Sequence, residues 1–391
     1  MNRLWWQLPG PAQLVSTIAQ DLQDGKNVLI ALPKHMPRGF SSAIRTLSLD
    51  YTNDWYPIRP DKEKPADVLS SYFERDLSPN GRRIASALAN SEKLEGKIIW
   101  LYGIEAAEWG AWEEFFADYG DACQHATLGR SVVFCIPLIA SSVSKTSISE
   151  QFWSQYHWRG VVSSVDMILF TARLLQERTW SILQKRVATS VIAGLALWDP
   201  EVCHRLAAAD FKDVLKPKTT LKEIAAERKW SRHSHPLPRW QAWQEGMEDI
   251  VDKKWMMHSA LLALESSSQE IERRIWHAEL PVLLPVVEEA RQAILKQYGD
   301  TLRVPYRAPF QMVNDVYDLE INHIRSQIKR GLTKLSVESE RLIHELTEIR
   351  NYLSHLKTVT FEMLDSDVLN RFVERQWEQE IEELTRVAET S

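Results

Sequence analysis

Cysteine is scarce in this sequence, which has Cys123, Cys135 and Cys203 among 391 residues and no C-x-x-C spacing. An odd and dispersed set argues against a disulfide framework and against a cysteine-rich zinc module. Long apolar runs are also absent, since no stretch approaches the roughly 18 consecutive apolar residues of a membrane span. The first residues contain no continuous apolar segment with a small-residue cleavage site, so we expect no secretory signal. These absences predict a cytoplasmic protein that does not enter a membrane.

A strong charge of either sign is missing as well. The chain has 47 basic and 53 acidic residues, a formal charge of -6, so any contact with nucleic acid must come from a local basic patch. Tryptophan, by contrast, is abundant, with 16 residues. Pairs such as Trp240 and Trp243 can serve as stacking surfaces for bases, although their apolar neighbours favour packing in a core or an interface.

Residues 1–200 have the pattern of an α/β domain. A helix is predicted over residues 11–24, with Leu14, Val15, Ile18 and Leu22 on one face and Gly25 as its C-cap. Buried strands are predicted at residues 27–32, 97–102 and 131–136, with helical segments around 66–90 and 108–119 between them. This alternation of strands and helices predicts a parallel sheet covered by helices.

The turn after the first strand lacks a phosphate-binding loop. Its sequence, PKHMPRGFSS from Pro33, has two prolines, one glycine and no GK[ST] element, and prolines remove the N–H groups that hold a phosphate. Lys34 and Arg38 remain as candidate anion-binding residues, together with Ser41 and Ser42. Glu105 follows the strand at 97–102 in the place of a Walker B acid, with a capping or solvated role as the alternative.

Helix, first strand, degenerate loop, Walker B-like strand and third strand together resemble the RecA-like core of the P-loop ATPases, over roughly residues 10–200. The resemblance implies a degenerate nucleotide site at Lys34, Arg38 and Glu105. It also implies a domain that recognises a partner or senses a ligand and is not an active NTPase. No cofactor is expected.

Residues 161–198 are apolar and helical, which predicts helices that close the first domain, and residues 201–245 have the charged composition of a linker or loop. Arg232 and Arg239 are the candidate RNA-binding residues of this region, supported by Lys216 and Lys218. Cys203, His204, His233 and His235 are residue types that bind zinc, but their spacing does not match a structural site, so no metal is predicted.

Residues 246–391 are predicted to be all-helical, with breaks at Pro281–Pro285 and across residues 298–309. At about 100° per residue, His344, Glu348, Asn351 and His355 share one face of the segment from Ser336 to Lys357. Leucines and isoleucines occupy the opposite face, so the segment has a core face and a polar stripe. The near match His344-Glu345-x-x-Glu348 to the zinc protease pattern lacks its second histidine and is rejected.

Arg350-Asn351-x-x-x-His355 resembles the R-x4-6-H motif of HEPN domains, helical modules of bacterial toxins and defence proteins. The resemblance implies a domain that forms homodimers and cleaves RNA without a metal, in bacterial stress or phage defence. His355 would transfer a proton, Arg350 would stabilise charge on the phosphate, and Asn351 would position the group. An upstream helix with Asp315, Asp318, Glu320 and His323 would lie alongside, as the acidic helix of the family does.

Two hypotheses therefore stand. The first is an α/β domain without a phosphate loop joined to a HEPN-like ribonuclease, and the second is a non-enzymatic adaptor in which both halves bind protein partners. In an ideal helix, Arg350 and His355 differ by about 140°, which favours the adaptor unless the helix ends near Ser354. The sequence leaves open whether the protein is an enzyme.

Overall fold

The computed structural model describes residues 2–48, 54–60, 64–73, 84–126, 131–139, 153–231, 236–265, 269–308 and 311–390. The chain divides into two compact units, Met1–Asp166 with His233–His258, and Met167–Arg232 with Ser259–Ser391. We call them the sheet unit and the helical unit. These divisions differ from the expected boundaries at residues 200 and 245. Residues 167–200 form helices that pack with later helices, whereas residues 246–257 belong to the sheet unit.

The strands are β1 (Asn27–Leu32), β2 (Trp55–Ile58), β3 (Ile98–Leu101), β4 (Val133–Ile139), β5 (Trp153–His157), β6 (Glu248–Val251), β7 (Lys254–Met257), β8 (Tyr306–Arg307) and β9 (Met312–Val313). The helices are α1 (Asn2–Trp5), α2 (Pro9–Gln23), α3 (Phe40–Ser48), α4 (Pro65–Phe73), α5 (Ile84–Ala89), α6 (Trp109–Gln124), α7 (Ser164–Leu175), α8 (Ile182–Ala196), α9 (Pro200–Ala208), α10 (Phe211–Val214), α11 (Lys218–Glu227), α12 (Arg239–Gln244), α13 (Ser259–Leu262), α14 (Gln269–Tyr298), α15 (Ile321–Lys329), α16 (Val337–Ser354), α17 (Phe361–Leu364) and α18 (Asp367–Thr390). Short 3₁₀ helices span Glu92–Leu94, Gly299–Thr301 and Val316–Asp318.

A five-stranded sheet organises the sheet unit, in the order β2-β3-β4-β1-β5 with every neighbouring pair parallel. All six residues of β1 are buried, as its apolar sequence NVLIAL requires for a strand covered on both faces. Asn27 accepts a hydrogen bond from the backbone N–H of Phe134 at 2.8 Å, which helps to fix β1 beside β4. The sheet confirms the predicted α/β class.

One face of the sheet is covered by α4, α5 and α6, whose buried residues Phe73, Leu88, Trp112 and Phe116 pack in one core with Phe134 of β4. Helix α2 packs on β1 and β4 and buries Val15, Ile18 and Leu22. The chain then passes through Gly25, at φ 81°, into β1. The predicted α2 face and its glycine end are therefore confirmed. Strands β2 and β5 and helix α3 were not predicted.

Helix α14 runs through the helical unit and packs against α8 and α16, while α18 packs against α16 and α8. It contains Pro281 and Pro285 without a break, so the predicted helix end at these prolines is wrong. The hydroxyl of Ser190 on α8 donates to the carbonyl of Ala278 at 2.7 Å, in the turn before Pro281. Pro281 removes the hydrogen bond to the carbonyl of His277 and not to that of Ala278, so the helix continues through its prolines because it packs against α8 and α16.

Residues 201–245 were expected to be a linker, yet most of them form the helices α9, α10, α11 and α12. Helix α9 begins at Pro200 behind Asp199, whose carboxylate accepts from the N–H of Glu201 at 2.9 Å, a capping arrangement that favours a helix. The expectation of no strands beyond residue 246 is also wrong. The hairpin β6–β7 turns at Asp252 and Lys253, both with positive φ, and β8 pairs with β9. Within the described ranges, no helix combines the length and apolar character that crossing a bilayer requires.

Candidate functional site

The loop after β1, where a nucleotide phosphate would lie, is attached to α12. The backbone N–H of Lys34 donates to the carbonyl of Gln244 at 2.8 Å. Its ammonium group forms an ion pair with Glu245 at 3.0 Å, on an exposed surface. The backbone N–H of Lys34, at the start of the loop, therefore donates to the protein itself and does not face an open anion site.

Four aromatic side chains pack together beside this loop, and we call them the aromatic cluster: Trp6, Phe40, Trp100 and Trp158. The ring centroids of Phe40 lie 5.3 Å from Trp6, 6.0 Å from Trp158 and 6.3 Å from Trp100. The indole N–H of Trp6 donates to the carbonyl of Arg38 at 3.1 Å, so the cluster also holds the loop. Each ring is at most 9% exposed. Trp100 alternates with Ile99 and Leu101 along β3, so the cluster packs on the face of the sheet opposite these two residues.

A close backbone approach joins the start of α2 to the segment that follows β5. A Cβ on Gly10, at the start of α2, would lie 2.0 Å from the carbonyl oxygen of Val161 and 2.8 Å from the carboxylate of Asp166. The fully buried Asp166 accepts from the N–H of Gly10 at 3.0 Å and from the N–H of Ser163 at 2.8 Å. Only glycine allows α2 to start this near to the segment that follows β5.

The three residues of the expected degenerate nucleotide site are not equivalent. Lys34 and Arg38 lie in one loop and are both exposed. Glu105 is exposed beyond β3, and β4 lies between β3 and β1 in the sheet, so the two strand ends are about 10 Å apart. Its backbone N–H donates to the carboxylate of Glu108 at 2.8 Å, in the turn before α6. The role of the Glu105 carboxylate itself stays a prediction.

In the helical unit, Arg350 and Asn351 lie in the last turns of α16, and His355 follows as the C-cap. The helix ends at Ser354, and the N–H of His355 donates to the carbonyls of Asn351 and Tyr352, both at 3.1 Å. Leu356 then takes a positive φ of 56°. His355 is exposed, so its imidazole is accessible to solvent.

Arg350 faces acidic residues of the preceding segment. Its guanidinium lies 3.4 Å from the carboxylate of Glu320, at the N-cap of α15, and α15 packs along α16. Arg350 and Glu320 border a surface pocket of about 540 Å³ with Arg291, Glu288 and Asp318. Asn351 and His355 do not line this pocket. The structure thus places the acidic segment beside Arg350, while the histidine lies outside the pocket.

A buried carboxyl group on α14 holds the chain that follows His355. Glu279 is 0% exposed, and its Oε2 accepts from the N–H of Val359 at 2.9 Å. Within the described chain its Oε1 is buried without a hydrogen-bond partner. Burial raises the pKa of Glu279 to about 8, and the bond from Val359 offsets only part of this effect. The carboxyl group is therefore protonated at neutral pH.

Of the two predicted RNA-binding arginines, Arg232 lies outside the described residues. Arg239 begins α12 and is exposed, and its guanidinium lies 5.6 Å from the ring centroid of Trp255 on β7. Arg159 lies 5.8 Å from the ring of Trp240 and 5.9 Å from that of Trp255. Neither Arg159 nor Trp255 was predicted to take part, because they are distant in sequence from Arg239.

A second buried acid supports these rings. Asp249 of β6 is 3% exposed, and its carboxylate accepts from the backbone N–H groups of Ile250 at 2.7 Å and Gly160 at 3.0 Å. Burial raises the pKa of Asp249 to about 7, against the lowering effect of these two bonds. The carboxylate therefore ties the hairpin β6–β7 to the segment after β5.

The residues considered for zinc do not form a site in the described part of the chain. Cys203 is buried with its Sγ 3.1 Å from the hydroxyl of Thr171, and His204 packs edge-on against Phe170 at 5.2 Å. His233 and His235 lie outside the described residues. In the part that is described, no three His, Cys, Asp or Glu side chains are grouped as metal ligands.

Comparison with known proteins yields little. No protein-family model matches the sequence, and no curated protein matches it. Among solved structures, the RuvB Holliday junction branch migration motor of Thermotoga maritima is similar, with a TM-score of 0.32 and 9% sequence identity. The similarity covers 64% of this chain and 92% of that chain. At this level the similarity identifies neither the fold nor the activity, which have to be argued from the residues themselves.

Proposed function

We propose that this protein is a non-hydrolysing recognition protein, an adaptor in which a degenerate RecA-like sheet unit and the helical unit each bind a partner. The observation that carries the proposal is the aromatic cluster. Buried rings hold the loop after β1, and Lys34, the nearest candidate for a phosphate-binding lysine, pairs with Glu245. A loop held in this way is poorly suited to bind a nucleotide phosphate, which favours recognition over hydrolysis.

ATP turnover by the purified full-length chain tests this proposal. Phosphate release would be measured with Mg-ATP for the wild type, for Lys34→Ala and for Arg45→Ala, an exposed arginine on α3, as the matched control. The proposal expects no turnover above the buffer rate in any of the three. Turnover by the wild type and the control that is lost in Lys34→Ala would overturn it.

A second candidate function is that of a metal-independent HEPN-type ribonuclease, and one observation favours it. An uninterrupted helix would separate Arg350 and His355 by about 140° around its axis. Helix α16 ends at Ser354, so this angle does not apply to His355. In this function His355 transfers the proton of the 2′-hydroxyl or the leaving oxygen, Asn351 positions the phosphate, and Arg350 leaves Glu320 to stabilise the transition state.

Cleavage of total RNA in EDTA tests the ribonuclease. His355→Ala and Arg350→Ala would be compared with His344→Ala and Arg341→Ala, which remove exposed residues of the same types from the same helix. A ribonuclease requires cleavage by the wild type and both controls and its loss in both test variants. Uncut RNA in every sample would exclude this candidate and leave the adaptor.

A further inference from the structure

The sheet unit carries a surface in which cations and aromatic rings alternate, formed by Arg159, Arg239, Trp240 and Trp255. We call it the Arg–Trp surface. Each guanidinium lies within 6 Å of an indole centroid, Arg159 over two rings and Arg239 over one. Both indoles are partly exposed, Arg159 is partly exposed and Arg239 is exposed. Trp243, by contrast, packs against Trp240 and is 0% exposed, as is typical of a tryptophan that belongs to the core.

The acidic residues of the same segment are turned to other contacts. Glu245 pairs with Lys34, and Asp249 is buried on two backbone N–H groups. Asp252 accepts from the N–H of Ser164 at 3.3 Å, and Glu248 is partly buried. The hairpin turn adds exposed Lys253 and Lys254. Asp252 in the same turn is exposed too, and Lys254 lies on the opposite face of β7 from Trp255, so the positive charge beside the indoles comes from Arg159 and Arg239.

The elements that hold the surface are rigid. Trp240 lies on α12 and Trp255 on β7, and Asp249 links the hairpin β6–β7 to Gly160, the residue after Arg159. A Cβ on Gly160 would lie 3.5 Å from the side chain of Ile250, the cross-strand partner of Trp255. Two indoles and two guanidiniums are thus fixed side by side, as a stacking ligand with negative charge requires.

We infer that the Arg–Trp surface binds single-stranded nucleic acid, with bases stacked on Trp240 and Trp255 and phosphates held by Arg239 and Arg159. The exposed parts of the two indoles offer a π-face on which an unpaired base can stack, whereas bases inside a duplex are already stacked. An acidic peptide would use the arginines but gain little from the indoles. The inference rests on the proposed function, since it names the partner of the sheet unit.

Fluorescence anisotropy with the full-length chain and a labelled 12-nucleotide single-stranded RNA of mixed sequence tests the inference. The probe would also be offered as DNA of the same sequence and as a duplex, and poly-glutamate would be used as a competitor. The variants are Trp240→Ala, Trp240→Phe and Arg239→Glu, with Arg45→Glu as a charge-matched control on α3. Because Arg239 is exposed, we expect the Arg239→Glu variant to fold like the wild type.

We expect the wild type to bind single strands, and Trp240→Ala and Arg239→Glu each to weaken binding by at least about tenfold. Trp240→Phe should retain most of the binding, and Arg45→Glu should match the wild type. Failure to bind, equal loss in Arg45→Glu, tighter binding of the duplex, or full displacement by poly-glutamate would each overturn the inference. These outcomes leave the proposed function intact, because ATP turnover alone decides whether the unit hydrolyses nucleotides.

Discussion

Replacing Glu279 by glutamine should change how the stability of the helical unit depends on pH. The carboxyl group is fully buried, and only its Oε2 has a hydrogen-bond partner in the described chain, the N–H of Val359. Glutamine keeps an acceptor oxygen for Val359 and cannot ionise. Because Val359 lies in the segment that follows His355, the substitution also reports on how that segment is held.

The sign follows from the raised pKa. A carboxyl group that holds its proton more tightly in the folded than in the unfolded protein stabilises the fold at low pH. That contribution is complete below the ordinary value of 4.5 and is lost as the pH rises to about 8. The difference between these two pKa values corresponds to roughly 5 kcal/mol of folding free energy, at about 1.4 kcal/mol per pH unit. Between pH 5.5 and pH 8.5 about 2.5 of these pH units are sampled, roughly 3.4 kcal/mol, and since the site can relax and admit water we expect a measured loss of roughly 1–3 kcal/mol.

Urea unfolding followed by circular dichroism at pH 5.5 and pH 8.5 gives the free energies. The wild type should lose stability between these values, and Glu279→Gln should lose markedly less. Glu289→Gln, an exposed change on the same helix, should behave like the wild type. If Glu279→Gln and the wild type lose stability in parallel, the buried carboxyl is not protonated in the folded state and the reasoning fails.

Three further predictions concern stability. Gly10→Ala should destabilise the protein by about 1–3 kcal/mol in urea, because its Cβ would clash with a backbone oxygen, while Gly110→Ala, with nothing within 4 Å, should not destabilise it; equal effects would contradict the close approach. Phe40→Ala should cost about 3–5 kcal/mol, since the ring is 6% exposed, and a loss below about 1 kcal/mol would show that the cluster is not packed. Arg350→Ala should change the unfolding free energy by less than about 1 kcal/mol, because its ion pair with Glu320 is exposed, and a larger loss would show a structural role.

The sequence predicts those parts of the fold that have a strong local signal. The apolar run of β1 and the one-sided apolar pattern of α2 appear where expected, since burial on both faces or on one face leaves its own periodicity. Strand β5, with the sequence WSQYH, was missed because its polar residues alternate at an edge of the sheet. Helix α14 was divided at its prolines because packing against α8, which overrides them, depends on residues distant in the chain.

The candidate site was less accessible to prediction from the sequence. The absence of a phosphate loop is a local property, and it was recognised. The cluster that replaces it joins Trp6, Phe40, Trp100 and Trp158, which are far apart in sequence and give no shared pattern. The raised pKa of Glu279 likewise depends on its burial and on its distant partner. Arg239 was singled out by its charge and its role in RNA binding stays a prediction, whereas its contact with Trp255 was not predicted.

Direct titration of the protein with Mg-ATP tests the central claim, that the loop after β1 does not bind a nucleotide phosphate. Calorimetry would compare the wild type with Phe40→Ala, provided that the variant remains folded. The account predicts no binding by the wild type up to millimolar nucleotide, because Lys34 is paired with Glu245 and the aromatic cluster holds the loop through Arg38. Saturable binding by the wild type that is weakened by Lys34→Ala would contradict it.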